Sequence, residues 1–420
     1  MTPSTKRRIV AAGRHETAEF VLPGHPDKLC DAVADAIIDW HQPLGKDLQF
    51  GLEVACVFDR VFITGRIANP VTGVRQVFPL RRDEIVRGVY ASAGYGVDAA
   101  GHVWGPRPGD LKIDWALCLD GFAEGERELR HLSDDQAICV GYAVRSPATD
   151  YLPPAHWLAR RIGRDLFRLR QERGAGQIGP DAKVIVHGTR RGPGGAFQPD
   201  LVSVSLNHHD GSDWLLLRSV VDEAVETACA GSRWHLPEIE MNGAGMFVAG
   251  GPNGDNGTTG KKLVVDAYGP GIPIGGGAWS GKDFFKVDRL GGMAARRLAL
   301  ESLLASDADE AQVTLTYLPG GDRPARVDLL LNGSASDRVV VPSEFGALES
   351  RVLHAAFAKR NTTHLDLARW GHQRPGMPWE LSISKAICAP RRGAAKPHSA
   401  RPHLADVALT NESSPTMPTS

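Results

Sequence analysis

The chain has 420 residues, with 48 Lys plus Arg against 49 Asp plus Glu. That length can bury a large core in two or three domains, and the charge balance argues against a global field for nucleic acid or a membrane. The six cysteines (Cys30, Cys56, Cys118, Cys139, Cys229, Cys388) form no C-x-x-C pair, which argues against a zinc site or disulfide framework and fits a reducing cytoplasm. No stretch is long and apolar enough to span a bilayer.

Residues 1–15 read as a mobile tail, and the apolar run after Lys6-Arg7-Arg8 is too short for a signal peptide. Gly24-His25-Pro26-Asp27-Lys28 leads into a helix over Pro26–Trp40, with Leu29, Val33, Ile37 and Trp40 at helical spacing. His25 and Asp27 fall at its positive end, where anions collect, although Asp27 could equally be only a cap. A hairpin follows, Phe50–Phe58 and Val61–Ile67 around Asp59-Arg60. A two-residue loop there sets Glu53 opposite Arg66. Glu84–Tyr90 reads as a helix. The Gly- and Pro-broken Gly105–Asp110 opens a long polar segment to Leu132, either a lid or a linker. Ala155–Arg173 is an amphipathic helix whose Arg160, Arg161, Arg164 and Arg168 suggest a solvated face. Strands are expected at Lys183–His187 and Leu201–Leu206, and a helix at Trp214–Ala230. Leu263–Asp266 reads as a short buried strand, and Val287–Ala305 as a long helix. A strand pair at Val313–Tyr317 and Arg326–Leu331 precedes a helix at Glu349–Phe357. Strands followed by a helix thus recur three times, near 50–90, 183–230 and 313–357. Beyond Cys388 the Ala-, Pro- and Ser-rich composition suggests a disordered tail.

The stretch Gly275–Arg289 carries the strongest chemical signal. Its three successive glycines permit close backbone approach to a ligand. Lys282, Lys286 and Arg289 supply positive charge for phosphate, and Asp283 and Asp288 offer hard oxygens to magnesium. Gly276 to Lys282 fits G-x-x-x-x-G-K, but Asp283 stands where a P-loop needs Ser or Thr. An ordinary P-loop nucleotidase is therefore rejected.

Four motifs occur in order: Gly24–Lys28, Asp135–Ala143 (Asp-Gln-Ala-Ile-Cys-Val-Gly-Tyr-Ala), the glycine-rich run Gly250–Lys262, and Gly275–Arg289. With Trp370-Gly371-His372 and Pro378-Trp379-Glu380, they resemble the S-adenosylmethionine synthetase family over about Glu19 to Ala386. The resemblance implies an α+β fold of three similar domains around a pseudo-threefold axis. It places these at 16–110, 135–240 and 241–387, with 111–134 as the lid or linker and 388–420 as the tail. It implies attack of the methionine sulfur on C5′ of ATP, departure of triphosphate, and its hydrolysis to diphosphate and phosphate. It also implies Mg²⁺ and a homodimer, or dimer of dimers, with shared active sites in the cytoplasm.

Carried over position by position, His25 meets the triphosphate near the breaking bond, and Asp27 and Asp288 hold Mg²⁺. Lys183, Lys282 and Lys286 act on the phosphates, with Asp181, Lys261, Lys262 and Ala278 also in the ATP site. Phe247 stacks on adenine, and Asp255 contacts ribose or amino acid. Glu19, Asp135, Lys286 and Pro319 fall around the amino acid, and Glu53 falls on the potassium ligand. Departures cluster near the second substrate. Arg66 stands where the family has a glutamate that contacts the methionine amino group, Met246 replaces an arginine, and Pro319 replaces an apolar residue. Lys261 replaces an arginine and loses its bidentate fork. If Arg66 opposes Glu53, it could itself supply the cation, so activity is expected without K⁺. Three readings stay open: methionine adenosyltransfer, adenosylation of another nucleophile whose anionic group Arg66 binds, or a catalytically silent nucleotide-binding subunit.

Overall fold

The computed structural model of the chain describes residues 13–42, 48–68, 82–173, 176–190 and 196–381. The tail expected at 388–420 and most of that at 1–15 lie outside these residues. Arg14 and His15 lie inside them and open the first strand.

In chain order, β1 (Arg14–Val21), α1 (Pro26–His41), β2 (Gln49–Val57), β3 (Arg60–Ala68) and α2 (Arg82–Ala93) come first. The short β4 (Gly96–Val97) and β5 (Val103–Trp104), then β6 (Lys112–Cys118) and β7 (Ala137–Val144), follow. The middle of the chain holds α3 (Pro154–Glu172), β8 (Ile178–Arg190), β9 (Phe197–His208), α4 (Trp214–Cys229) and β10 (Glu238–Met241). The last part holds β11 (Gly257–Thr258), α5 (Leu263–Asp266), α6 (Val287–Leu304), β12 (Glu310–Tyr317), β13 (Arg326–Leu331), β14 (Ser334–Ser336), α7 (Ser350–Phe357) and α8 (His364–Trp370).

The fold is α+β, with three four-stranded sheets ordered β11-β2-β3-β6, β1-β8-β9-β10 and β14-β13-β12-β7. Each is built on an antiparallel hairpin: β2-β3, β8-β9 and β12-β13. Each hairpin gains an antiparallel strand beside its first member, and that strand comes from elsewhere in the chain. The strand before the first hairpin, β1, joins the second; β7, before the second, joins the third; β11, before the third, joins the first. The thirds of the chain therefore interlock in a cycle. A core lies against each sheet: α1 and α2 on the first, α3 and α4 on the second, α6 and α7 on the third. The third core is tight because β7 has Gly141, where a Cβ would lie 2.0 Å from the Ala295 carbonyl carbon. Among the described residues, no helix is long and apolar enough to cross a membrane.

The structure corrects several expectations. The hairpin loop is Phe58-Asp59, not Asp59-Arg60: Val57 faces Arg60, and Phe58 takes φ 51°. Moving the loop by one residue shifts the register by two, so Glu53 faces Thr64 and Arg66 faces Gly51. Arg66 is thus not opposite Glu53, and the idea that it replaces a potassium ion there loses its ground. Residues 112–118 of the segment read as lid or linker form β6, parallel to β3. The alternation of Ile113, Trp115 and Leu117 with exposed neighbours was its visible signal. Leu263–Asp266 is a helical turn, not a strand. The basic side of α3 is only partly solvated. Arg160 is buried and donates to the Gln373 carbonyl at 2.7 Å, while Arg161 and Arg168 lie by Asp165.

Candidate active site

Helix α1 organises the site. His25 is its N-cap, and Nδ1 accepts from the Asp27 N–H at 3.2 Å. That bond leaves the ring proton on Nε2 in the neutral imidazole. Burial first, then Lys262, pushes the His25 pKa down to about 3, so the ring is a neutral donor at physiological pH. Asp27 is 1% exposed. Its Oδ1 accepts from the Thr258 N–H at 3.0 Å, and Lys262 Nζ lies 3.1 Å from Oδ2. Lys261 Nζ lies 3.8 Å from Oδ1. This close docking requires Gly257, where a Cβ would fall 2.3 Å from the Pro26 carbonyl.

The same face of α1 continues as a ladder of aspartates at successive fourth positions. Asp31 Oδ1 accepts from the Gly260 N–H at 2.8 Å, and Asp35 Oδ1 accepts from the Gly281 N–H at 2.8 Å. Asp39 accepts from the His364 and Leu365 N–H groups at 2.9 and 2.8 Å. Asp27 and Asp31 therefore fix the loop carrying Lys261 and Lys262, and Asp35 fixes the loop carrying Lys282. Buried cations answer this charge. Lys28 bonds Asp266 at 2.5 Å and Asp31 at 3.4 Å. Arg289 bonds Asp35 at 2.6 and 3.0 Å and donates to the Lys282 carbonyl at 2.8 Å. Burial, opposed by Lys28, pushes Asp31 up to about 7. The i, i+4 repeat of Asp on a face otherwise full of Leu, Val and Ala was the signal for this ladder.

Several of the residues expected to act together line one of two cavities. The first, about 380 Å³, is lined by His25, Asp181, Lys183, Met246, Phe247 and Asp255, with Ser205 and Asn242 that sequence reasoning missed. Lys183 also lies 4.0 Å from Glu19 on the paired strand. Asp181 Oδ2 accepts from the Gly251 N–H at 2.8 Å, and burial pushes its carboxyl up to about 6. A polyanion in this cavity favours the protonated Asp181. Its affinity is therefore expected to fall as pH rises through about 6, and Asp181→Asn should flatten that slope. Calorimetric titration of both proteins with MgATP between pH 5 and 8 tests this, since the difference cancels the nucleotide's own titration. Parallel curves for the two proteins would refute it.

The second cavity, about 320 Å³, is lined by Arg66 and Lys286 with Gln49, Glu126, Asp134 and Phe285. Lys282 and Asp288 pair at 2.6 Å, and Asp288 stands in the first turn of α6. Among the described residues, no hydrogen bond or ion pair links side chains of the first set to those of the second. Ala278 packs near Gly260, where the two loops meet. Arg289 leaves the phosphate reading of the glycine stretch, and Asp283 leaves its magnesium reading. Arg289 is fully buried in the Asp35 pair. Asp283 is buried, and its oxygens accept from the Phe50 and Phe285 N–H groups at 2.7 Å each. Glu53 is exposed on β2. Asp135 is exposed, accepting from the Gln136 N–H at 2.7 Å. Pro319 is exposed in a turn whose Gly320 N–H donates to the Ser133 carbonyl at 2.8 Å.

Magnesium needs hard oxygen donors beside the phosphates. Among the described residues, no cluster of three or more His, Cys, Asp or Glu could form a protein cage for a metal. Asp27 and Asp288 are instead single carboxylates beside lysines. Mg²⁺ held mainly by phosphates and waters needs only one or two such carboxylates, so they fit that mode.

Two family models match the chain. One describes the N-terminal domain of S-adenosylmethionine synthetase, over residues 14–104, and the other its C-terminal domain, over residues 249–380. An S-adenosylmethionine synthase from Methylobacterium nodulans is 34% identical over 336 residues, covering 76% of this chain and 80% of the relative. One from Deinococcus deserti is 30% identical over 388 residues, covering 87% and 95%. A solved structure, described as an unusual S-adenosylmethionine synthetase from Campylobacter jejuni, superposes with a TM-score of 0.76 at 26% identity. It covers 89% of this chain and 98% of that one.

Proposed function

The chain belongs to the S-adenosylmethionine synthetase family, and on that premise we propose that it transfers the adenosyl group of ATP to the sulfur of methionine. The single observation that carries this reading is the first cavity. It joins a neutral His25 donor at a helix N-terminus to Lys183, with Lys262 beside Asp27 and an aromatic wall at Phe247. Helix N-terminal N–H groups and lysines suit a polyphosphate, and Phe247 suits a base.

In this reading a sulfur lone pair forms the S–C5′ bond while the C5′–O bond breaks, and the triphosphate keeps the electron pair. No base is needed, because a thioether carries no proton to lose. Orientation and stabilisation of the departing anion dominate the barrier. His25 Nε2–H donates to the oxygen that gains charge, and burial prepays its neutrality. Lys183, Lys261, Lys262 and Lys282 hold the phosphates. When bound, Mg²⁺ supplies further charge neutralisation on them, with Asp27 and Asp288 as its protein ligands. Hydrolysis of the retained triphosphate follows in the same cradle.

Among the described residues no hydrogen bond or ion pair joins the second cavity or Lys282 to the first cavity's side chains, and we expect a second copy of the chain to bring the two sets together. Support comes from apolar side chains exposed on each sheet, with Phe62, Ile185 and Ile138 at 47%, 38% and 57% exposure. They count toward an interface as parts of one contiguous apolar patch, since singly exposed apolar residues are ordinary on a monomer's surface. A monomer on gel filtration at micromolar concentration would contradict the homodimer.

The deciding experiment is mass-spectrometric detection of product from ATP, Mg²⁺ and methionine, with and without potassium. S-adenosylmethionine formed by the wild type supports the reading. ATP bound but never cleaved to triphosphate, with any amino acid, would favour the silent nucleotide-binding subunit instead.

A further inference from the structure

Tyr95 lies in the turn between α2 and β4, outside every motif read from the sequence. It is buried, and its ring packs on Tyr90 with centroids 5.6 Å apart. The turn is fixed from two sides. The Tyr95 N–H donates to the Tyr90 carbonyl at 3.1 Å, and Arg170 of α3 donates to the Gly94 carbonyl at 3.1 Å. The hydroxyl reaches the back of the first cavity's wall, where it donates to the Gly24 carbonyl at 2.6 Å. Beside it stands Gly251, with φ 62°, where a Cβ would fall 1.9 Å from the phenolic oxygen. The N–H of Gly251 is the one that donates to Asp181. Burial first, then Asp181, pushes the Tyr95 phenol well above its ordinary pKa, so the hydroxyl keeps its proton and stays a donor.

The Gly24 carbonyl and the His25 N–H belong to one planar peptide unit. The His25 N–H donates to the Leu22 carbonyl at 2.9 Å. That unit is therefore held at both ends, by Leu22 and by Tyr95. It cannot turn without leaving a buried polar group unpaired. Its plane sets the origin of the His25 side chain, and the Nδ1 bond to the Asp27 N–H then fixes the ring. One hydroxyl thus touches the backbone of two separate stretches that line the first cavity, the turn before α1 and the glycine-rich run.

We infer that Tyr95 is a positioning residue for adenosyl transfer: through the Gly24 carbonyl it aims His25 Nε2–H at the leaving oxygen, and by packing on Gly251 it keeps the Asp181 side of the cavity in register with His25. The consequence for rate rests on the adenosyltransferase reading, whereas the aim of the His25 ring can be read without turnover.

The test is Tyr95→Phe, which keeps the ring and its packing on Tyr90 and removes only the hydroxyl. With ATP, Mg²⁺ and methionine, kcat should fall about ten- to a hundredfold, the cost of misplacing a reacting group by about 1 Å, while KM for ATP changes less than about threefold. In a His25→Asn background the same substitution should cost less than about twofold, because a residue that acts through His25 then has nothing left to aim. Tyr90→Phe is the control for loss of a core hydroxyl, since the Tyr90 hydroxyl has no hydrogen bond to Gly24 or Gly251. A second readout is the ¹⁵N spectrum of histidine-labelled protein, with the His25 ring signals identified by their absence from His25→Asn. Tyr95→Phe should move them, and Tyr90→Phe should leave them in place. Unmoved His25 signals in Tyr95→Phe overturn the inference, as do equal losses of kcat in the wild-type and His25→Asn backgrounds. If the wild type makes no product, the adenosyltransferase reading falls alone, and the spectrum still decides whether Tyr95 holds His25.

Discussion

Arg289→Ala is expected to lower the unfolding free energy by about 3–5 kcal/mol, the usual consequence of leaving one member of a buried ion pair alone. Arg289 has no solvent exposure, and its partner Asp35 is equally buried. The guanidinium makes two bonds to Asp35 and one to the Lys282 carbonyl, and His372 Nε2 lies 3.1 Å away. Burial first, then Arg289 itself, pushes His372 well below its ordinary pKa. The ring is therefore a neutral acceptor, and the arginine carries the positive charge of the cluster. Without it, Asp35 keeps one backbone donor, from Gly281. Its charge must then be protonated or hydrated inside the core. Urea denaturation reads the loss directly. Replacing both partners, as Arg289→Met with Asp35→Leu, should recover part of it, because an apolar pair removes the stranded charge. An Arg289→Ala protein within about 0.5 kcal/mol of wild type would show that water already reaches Asp35, contrary to the packing described.

Lys282→Ala is expected to lower kcat by about 10²–10³-fold, the range seen when one preorganised donor to a developing oxyanion is removed. Lys282 is partly exposed, and its ammonium lies 2.6 Å from Asp288. Its backbone is held on both sides, through Gly281 to Asp35 and through its own carbonyl to Arg289. The chain near it also bridges to Gly51 of β2. The side chain is thus free to meet a ligand while its origin is fixed, as preorganised catalysis requires. Removal has two consequences of the same sign. A cation is lost, and the Asp288 carboxylate is left unneutralised beside the phosphates. Lys282→Arg keeps charge but changes donor geometry, so it should fall between the two. Steady-state product formation gives kcat, and far-UV circular dichroism shows whether the fold survives. A loss under threefold in a folded Lys282→Ala protein would remove Lys282 from the catalytic set.

The two predictions concern neighbouring atoms and separate stability from chemistry. Arg289 acts through the backbone of Lys282, whereas Lys282 acts through its ammonium. Both residues sit in the same basic stretch, and the sequence ranks them alike as phosphate-binding charges. The chain geometry separates them because position 289 lies on the buried face of α6, which packs on β7, while position 282 lies in the loop before it.

Much of the molecule was legible in the order of its residues. Pro after His25, with Leu29, Val33 and Ile37 at helical spacing, sufficed for α1, because a period of 3.6 and a proline at the first turn depend only on neighbours. The hairpins were legible as elements for the same reason. The motif residues His25, Asp27, Lys183, Lys262 and Lys282 carried the family resemblance without any knowledge of distance. The sequence by itself thus determined the long helices α1, α3, α4 and α6, the paired strands and the family. It did not determine which strand joins which sheet. The strands β1, β7 and β11 each skip the nearest hairpin to join another, a choice made by long-range pairing that no local pattern encodes. The register of β2 and β3 turned on one residue, Phe58, adopting a left-handed conformation that its type does not advertise. Charge was the least legible property. Arg66, Arg160, Arg289 and Asp283 each look like surface or ligand-binding groups in one dimension. Only the tertiary structure decided that each was already bonded to Glu126, Gln373, Asp35 or the Phe50 N–H, because the sequence lists charges, while the energy of a charge depends on what lies within about 4 Å of it.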